Sequence, residues 1–174
     1  MLFIYRALIN LTLLVSPLII ILRLFKKKEH PVRFFEKFAI SSKKRVSGKL
    51  IWFHGSSVGE ILSIIPLIEK LEKNKNISQI LITSSTLSSS KVLERFKLKK
   101  TIHQFFPIDS DILINKFLDY WKPSSAFFVE SEIWPNTIIN LKNRNVKLIL
   151  INARITKKTF RKWKKIKNFA KLLF

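Results

Sequence analysis

The stretch KLIWFHGSSVGE, residues 49–60, decides how the chain is read. Its first part, Leu50–His54, is an unbroken apolar run ending in histidine. A loop follows that holds two of the chain's three glycines, Gly55 and Gly59, and then a helical pattern starts at Glu60. A strand that is apolar at every position is buried on both faces, the signature of a parallel sheet rather than a half-exposed antiparallel one. The unit recurs downstream. Predicted strands fall at Leu50–His54, Ile80–Thr83, Ile102–Phe106, Ala126–Glu130 and Lys147–Ile151. They alternate with predicted helices at Glu60–Lys73, Ser88–Lys97, Asp109–Tyr120, Trp134–Asn143 and Thr156–Leu173. Five strand–helix repeats imply an α/β fold with helices on both faces of a parallel sheet. Pro66 inside the first of these helices predicts a kink or a late start.

Ligands of such sheets bind beyond the carboxyl ends of the strands, so the residues there carry the functional reading. After the first strand, the glycines allow close backbone approach, and the next helix offers free N–H groups to an anion. The loop is neither GxGxxG nor a P-loop, and Glu60 also suits a helix N-terminus for dipole reasons alone. The fourth strand runs into Glu130-Ser131-Glu132-Ile133-Trp134-Pro135-Asn136. Period-two geometry puts Glu130 and Glu132 on one side if the strand continues that far. Competing with this, Ser131 suits a helix N-cap, Glu132 a first-turn acid, and Pro135 the early turn. The fifth strand ends in Asn152-Ala153-Arg154, where a guanidinium can grip phosphate or carboxylate through two parallel hydrogen bonds. Asp109-Ser110-Asp111 imitates a metal-binding DxD. Asp109 as N-cap and Asp111 in the first turn account for it instead.

Working outward, Leu2–Phe25 holds no charge between Arg6 and Arg23 and is long enough to cross a bilayer. Lys26-Lys27-Lys28 follows in place of a small-residue cleavage site, which argues for an anchor with its basic flank in the cytoplasm and against a removable signal. A shallow interfacial helix is the alternative. The expected organisation is an anchor and flank over 1–28, a basic connection over 29–48 and the sheet domain over 49–174. Lys and Arg total 33 against 11 Asp and Glu, a formal charge of +22. Such a balance calls for an anionic partner. A composition rich in Ile, Lys, Asn and Phe also follows from AT-rich codons, so charge by itself selects nothing. There are no cysteines, and His30, His54 and His103 lack metal-ligand spacing; no metal is expected.

Four of these segments together resemble one family, the Kdo transferases of lipopolysaccharide synthesis, in their N-terminal domain. They are HGSSVGE (54–60), PID with NKFLDYWKPS (107–124), ESEIWPN (130–136) and NARITKKTF (152–160). The resemblance implies a Rossmann-like domain, the acceptor-binding half of a GT-B glycosyltransferase. Kdo would pass from the donor substrate CMP-Kdo to a lipid A precursor, lipid IVA, with inversion and with no cofactor or metal. It carries Glu60 over as general base and takes Ser57, Gly59, Glu130, Glu132, Asn152 and Arg154 as acceptor-binding or supporting residues. The implied partners are the lipid A precursor, inner-membrane lipids at the cytoplasmic face and a donor domain, which the chain lacks, so the chain by itself is expected to be inactive. The chain departs from the family at Gly55, where alanine is usual, in the glycine-free TSSTLSSS (83–90), and at Lys158 in place of arginine. Two other readings compete: a non-catalytic lipid-A-binding module, and a nucleic-acid-binding protein. The anchor and the glutamates at two strand ends argue against nucleic acid. Phe160, Trp163, Ile166 and Ala170 recur near helical spacing in the basic tail and are expected to pack on the sheet.

Overall fold

The computed structural model describes residues 1–130 and 132–173. Helix α1 (Leu2–Phe25) precedes a short 3-10 turn (Phe34–Phe38). Then come β1 (Leu50–His54), α2 (Val58–Glu72), β2 (Gln79–Ser84), α3 (Leu87–Leu93), β3 (Thr101–Phe105), α4 (Asp111–Trp121), β4 (Ser125–Val129), α5 (Pro135–Asn143), β5 (Lys147–Ile151), α6 (Lys157–Lys165) and α7 (Lys167–Leu173). The strands form one sheet in the order β3-β2-β1-β4-β5. Each pairing is parallel; His54, for example, lies opposite Thr83 on one side and Phe128 on the other. This is the doubly wound order, in which the chain builds outward from β1 and then returns to start the other half at β4.

The period of two in β1 assigns the two cores. Leu50 and Trp52 point into a layer with Leu81, Phe117, Trp121 and Leu141, roofed by α4 and α5. Ile51 and Phe53 point the other way, against Ile61, Ile64, Ile68 and Val92 of α2 and α3. Trp52 is fully buried, its ring 5.0 Å from Phe117 and 5.2 Å from Phe128. Truncating such a side chain to alanine typically costs about 3–5 kcal/mol. The five predicted strands thus lie where expected, with ends shifted by a residue where they shift at all.

The helices differ more. α2 starts early rather than late and runs through Pro66. α3 stops at Leu93 rather than Lys97. Asp109 is not the N-cap of α4; Ser110 is, its hydroxyl accepting from the Leu113 N–H. The predicted tail helix is two helices broken at Ile166, and α6 buries none of its residues. Packing of the tail is therefore partial: Phe160 is exposed, Trp163, Ile166 and Ala170 are half-buried, and the deepest residue is Leu173 of α7, 7% exposed.

The basic connection is folded against the sheet edge. Glu36, fully buried, accepts from the backbone N–H of Phe105 at 2.7 Å and from Arg33 at 2.8 and 3.1 Å. Arg33 also donates to the Nδ1 and the backbone oxygen of His103. α1 is the described helix long and apolar enough to cross a membrane, with a mean hydropathy of 2.2 over its most apolar window.

Candidate active site

The order of the strands reverses between β1 and β4, and in such sheets the ligand site lies beyond the carboxyl ends at that point. The β1–α2 loop supplies one wall. Ser57 is the N-cap of α2, its hydroxyl accepting from the Glu60 N–H at 3.2 Å and donating to Glu60 Oε1 at 2.7 Å. Glu60 Oε2 accepts from the Ser56 N–H at 2.9 Å. This is a variant of the capping box, in which the carboxylate reaches back to the N–H of the residue before the N-cap. Each oxygen of Glu60 takes one hydrogen bond in this ring and keeps a second lone pair. At Gly55 a Cβ would sit 3.2 Å from Glu60 Cβ and 3.3 Å from Ile61 Cδ1, so the alanine usual at this position needs those neighbours to give by a few tenths of an ångström. At Gly59 a Cβ would meet nothing within 4 Å, so the open side of the turn is free for a ligand.

The β4–α5 loop supplies the second wall. β4 ends at Val129, and Glu130 turns the chain with φ of +58°, so the strand does not continue to Glu132 and period-two pairing of the two acids does not occur. Nor is Glu132 a first-turn acid, because α5 starts at Pro135 with Trp134 as N-cap. Pro135 occupies the early turn as predicted. Ser131, read from sequence as an N-cap, lies outside the described residues.

Glu132 instead faces β1. Its Oε2 lies 3.2 Å from His54 Nε2 and accepts from Trp134 Nε1 at 2.7 Å. His54 is fully buried, and its Nδ1 lies 2.9 Å from Thr83 Oγ1. That hydroxyl also accepts from Trp52 Nε1. With Glu132 ionised, the tautomer that satisfies both sides of the ring donates from Nε2 to Glu132 and accepts at Nδ1 from Thr83. Burial pushes the Glu132 carboxyl upward, but hydrogen bonding, first from His54 and then from its other polar neighbours including Trp134, outweighs it and holds the group below the usual range. The backbone N–H of Ser56 holds Glu60, and its hydroxyl lies 3.3 Å from that of Ser85.

The remaining sequence-derived residues form a neighbouring wall. Glu130 and Arg154 line a cavity of about 400 Å³ with Ile133, Leu150 and Trp163. Asn152, exposed and at φ +53°, makes the turn out of β5. Ser57, Gly59 and Glu60 are thus one loop, Glu132 stands on the second wall bonded to His54 and Trp134, and Glu130, Asn152 and Arg154 sit at the β4 and β5 ends.

A family model described as 3-Deoxy-D-manno-octulosonic-acid transferase (kdotransferase) matches residues 32–174. The chain belongs to the Kdo transferase family. Among its relatives, a protein of Rickettsia bellii, 3-deoxy-D-manno-octulosonic acid transferase, is 41% identical over 89% of this chain and 37% of that protein. A Rickettsia felis protein of the same description is 45% identical over 71% of this chain and 26% of that one. An Arabidopsis thaliana protein described as "Probable 3-deoxy-D-manno-octulosonic acid transferase, mitochondrial" is 38% identical over 92% of this chain and 37% of that protein. The chain spans little more than a third of the length of these Kdo transferases at most.

Sequence reasoning missed His54, Thr83 and Trp134, and it misread Asp109. The Asp109 carboxylate is 2% exposed and accepts from the backbone N–H groups of Asn136 and Thr137, the Thr137 hydroxyl and Tyr5. It caps α5 from another loop. Among the described residues no group of three or more His, Cys, Asp or Glu is gathered as a metal cage.

Proposed function

We propose that this chain supplies the acceptor-binding half of an inverting, metal-independent transferase that moves Kdo from CMP-Kdo to a lipid A precursor at the cytoplasmic face of the inner membrane. The observation that carries the reading is the Glu60 carboxylate. It stands at the switch point of the sheet, fixed by Ser57 and Ser56, beside a turn left open at Gly59. A sugar hydroxyl is a weak nucleophile. A carboxylate already held in place can take its proton as the bond to the donor carbon forms, which is commonly worth about 10²–10⁴ in rate. In this reading Ser57 aims the base and Gly59 admits the acceptor. Glu132, tied to His54 and Trp134, supports the facing wall of the acceptor site. Arg154 and Asn152 meet the acceptor's anionic groups at the neighbouring strand end, with Glu130 opposite them. The donor belongs to the other half of the enzyme.

The reading predicts that the chain binds a bisphosphorylated lipid A precursor and not CMP-Kdo. Separate titrations of each, by calorimetry in detergent, decide it. Tight CMP-Kdo binding to this chain would overturn the division of labour, and binding of neither would remove the acceptor assignment.

A further inference from the structure

We infer that α1 does not cross the bilayer but lies flat in one leaflet, clamped along its length to the domain, with an anionic lipid surface as its partner. The inference rests on the proposed membrane-bound function and adds the geometry of attachment. Leu2, Tyr5, Ile9, Leu13, Ser16 and Ile20 of α1 are wholly or partly covered, three or four residues apart, so a single stripe faces the protein from end to end. Ser16 and Ile20 are 4% and 5% exposed.

Both ends are tied to the same domain. Near the start, Tyr5 donates to Asp109 at 2.7 Å, while Arg6 bonds Asn136 at 3.0 Å and Asp111 at 2.8 Å. Near the end, Arg23 bonds Glu29 at 2.5 Å, and Lys37 bonds that same buried carboxylate at 2.6 Å. Tyr5 and Arg23 are about 27 Å apart at 1.5 Å per residue, close to the roughly 30 Å of a hydrocarbon core. A crossing helix held this way would carry Asp109, Asp111 and the irregular backbone around them to the far side of the bilayer. Charged side chains and unpaired backbone in hydrocarbon oppose that strongly. Lying in the plane removes the conflict.

The opposite face is what such a helix presents to lipid. Phe3, Leu8, Leu11, Leu14, Leu18 and Phe25 are 83, 58, 59, 77, 62 and 82% exposed. The charges favour a membrane over a second copy of the chain. Exposed Lys26, Lys27 and Lys28 follow one end; at the other, Lys165 and Lys167 lie around Met1. Basic groups at both ends suit a helix lying at one headgroup layer, where a spanning helix prefers them on one side. Two copies at +22 each would repel. Because Asp109 follows β3 at the carboxyl edge of the sheet, this orientation also brings the strand ends near headgroup level.

The chain has no cysteine, so single labels are unambiguous. Phe3→Cys, Leu8→Cys, Leu14→Cys, Leu18→Cys and Phe25→Cys, each spin-labelled, are bound to vesicles of about three parts phosphatidylethanolamine to one part phosphatidylglycerol. Depth is read from oxygen against nickel-chelate accessibility. A flat helix gives five similar depths of about 5–10 Å. A depth that peaks near mid-bilayer at Leu14 and returns to a headgroup value at Phe3 would overturn the geometry while leaving the membrane reading intact. Labels that stay in water, with no sedimentation on anionic vesicles, would sink both. Labels immobilised without lipid, in a chain that sizes as a dimer, would assign the face to a second copy.

Discussion

His103 ties the segment before the sheet to its edge strand, and its chemistry makes a quantitative prediction. The ring nitrogen Nδ1 lies 2.9 Å from the Arg33 guanidinium, which is a donor only, so Nδ1 must accept and Nε2–H must donate to Ser84 Oγ at 2.8 Å. A proton on Nδ1 would set two donors and two positive charges against each other. Burial first, and then the charges of Arg33, Lys43 and His30, lower this imidazole from 6.5 to about 3. The sign follows from proton counts. Between those values the unfolded chain binds a proton that the folded chain refuses, so stability rises with pH, by about 1.4 kcal/mol per unit. Present in full above pH 6.5, this contribution fades as acid approaches the folded value. From pH 7.5 to 4.5 it amounts to about 3 kcal/mol, and the figure barely depends on where near 3 the folded group titrates. His103→Gln keeps an acceptor for Arg33 and removes the titration. Urea unfolding of both proteins across that range should show their stability difference moving by about 3 kcal/mol in favour of the variant as pH falls. Two curves that stay parallel would refute the assignment of a neutral, Arg33-paired ring.

The capping box predicts that Ser57→Ala lowers stability by about 1 kcal/mol, with thermal midpoints about 2–4 °C lower, and that Ser57→Thr restores most of it. An alanine variant as stable as the parent would mean that the Ser57–Glu60 ring contributes nothing. Asp109→Ala strands two backbone N–H groups of α5, each worth about 1–3 kcal/mol, partly offset by no longer burying a carboxylate. A loss of several kcal/mol is expected by urea titration, with Asp109→Asn in between; a loss below about 1 kcal/mol would contradict the remote cap.

The fold was legible because β1 advertises its environment. Leu50–His54 is buried at every position, and a strand with no polar face has to be covered twice. The helix ends were less legible, since hydrogen bonds from distant residues set them. Nothing near Asp109 in sequence says that its acceptors are wanted by Asn136 and Thr137, and Ser110 was free to take the local cap in its place. Glu60 and Ser57 could be found because a capping box is local. His54 could not: its partners come from elsewhere in the chain, Thr83 from β2 and Glu132 from the β4–α5 loop, and an apolar run ending in histidine looks the same whether or not the ring is bonded. For Glu132, the left-handed turn at Glu130 broke the alternation on which the sequence reading relied.

The central claim is that the Glu60 carboxylate, and not merely a helix cap at that position, serves the transfer. Turnover of Glu60→Gln tests it most directly, in a polypeptide that also carries the donor half, with acceptor affinity and thermal midpoint measured beside it. Glutamine keeps an oxygen to accept from the Ser56 N–H and can donate from its amide to the Ser57 hydroxyl, but it cannot take a proton. The account predicts a fall in rate of about 10²–10⁴ with acceptor binding retained and stability lowered by no more than about 0.3–1 kcal/mol. Near-normal turnover, with the change confined to stability, would show that Glu60 only caps α2.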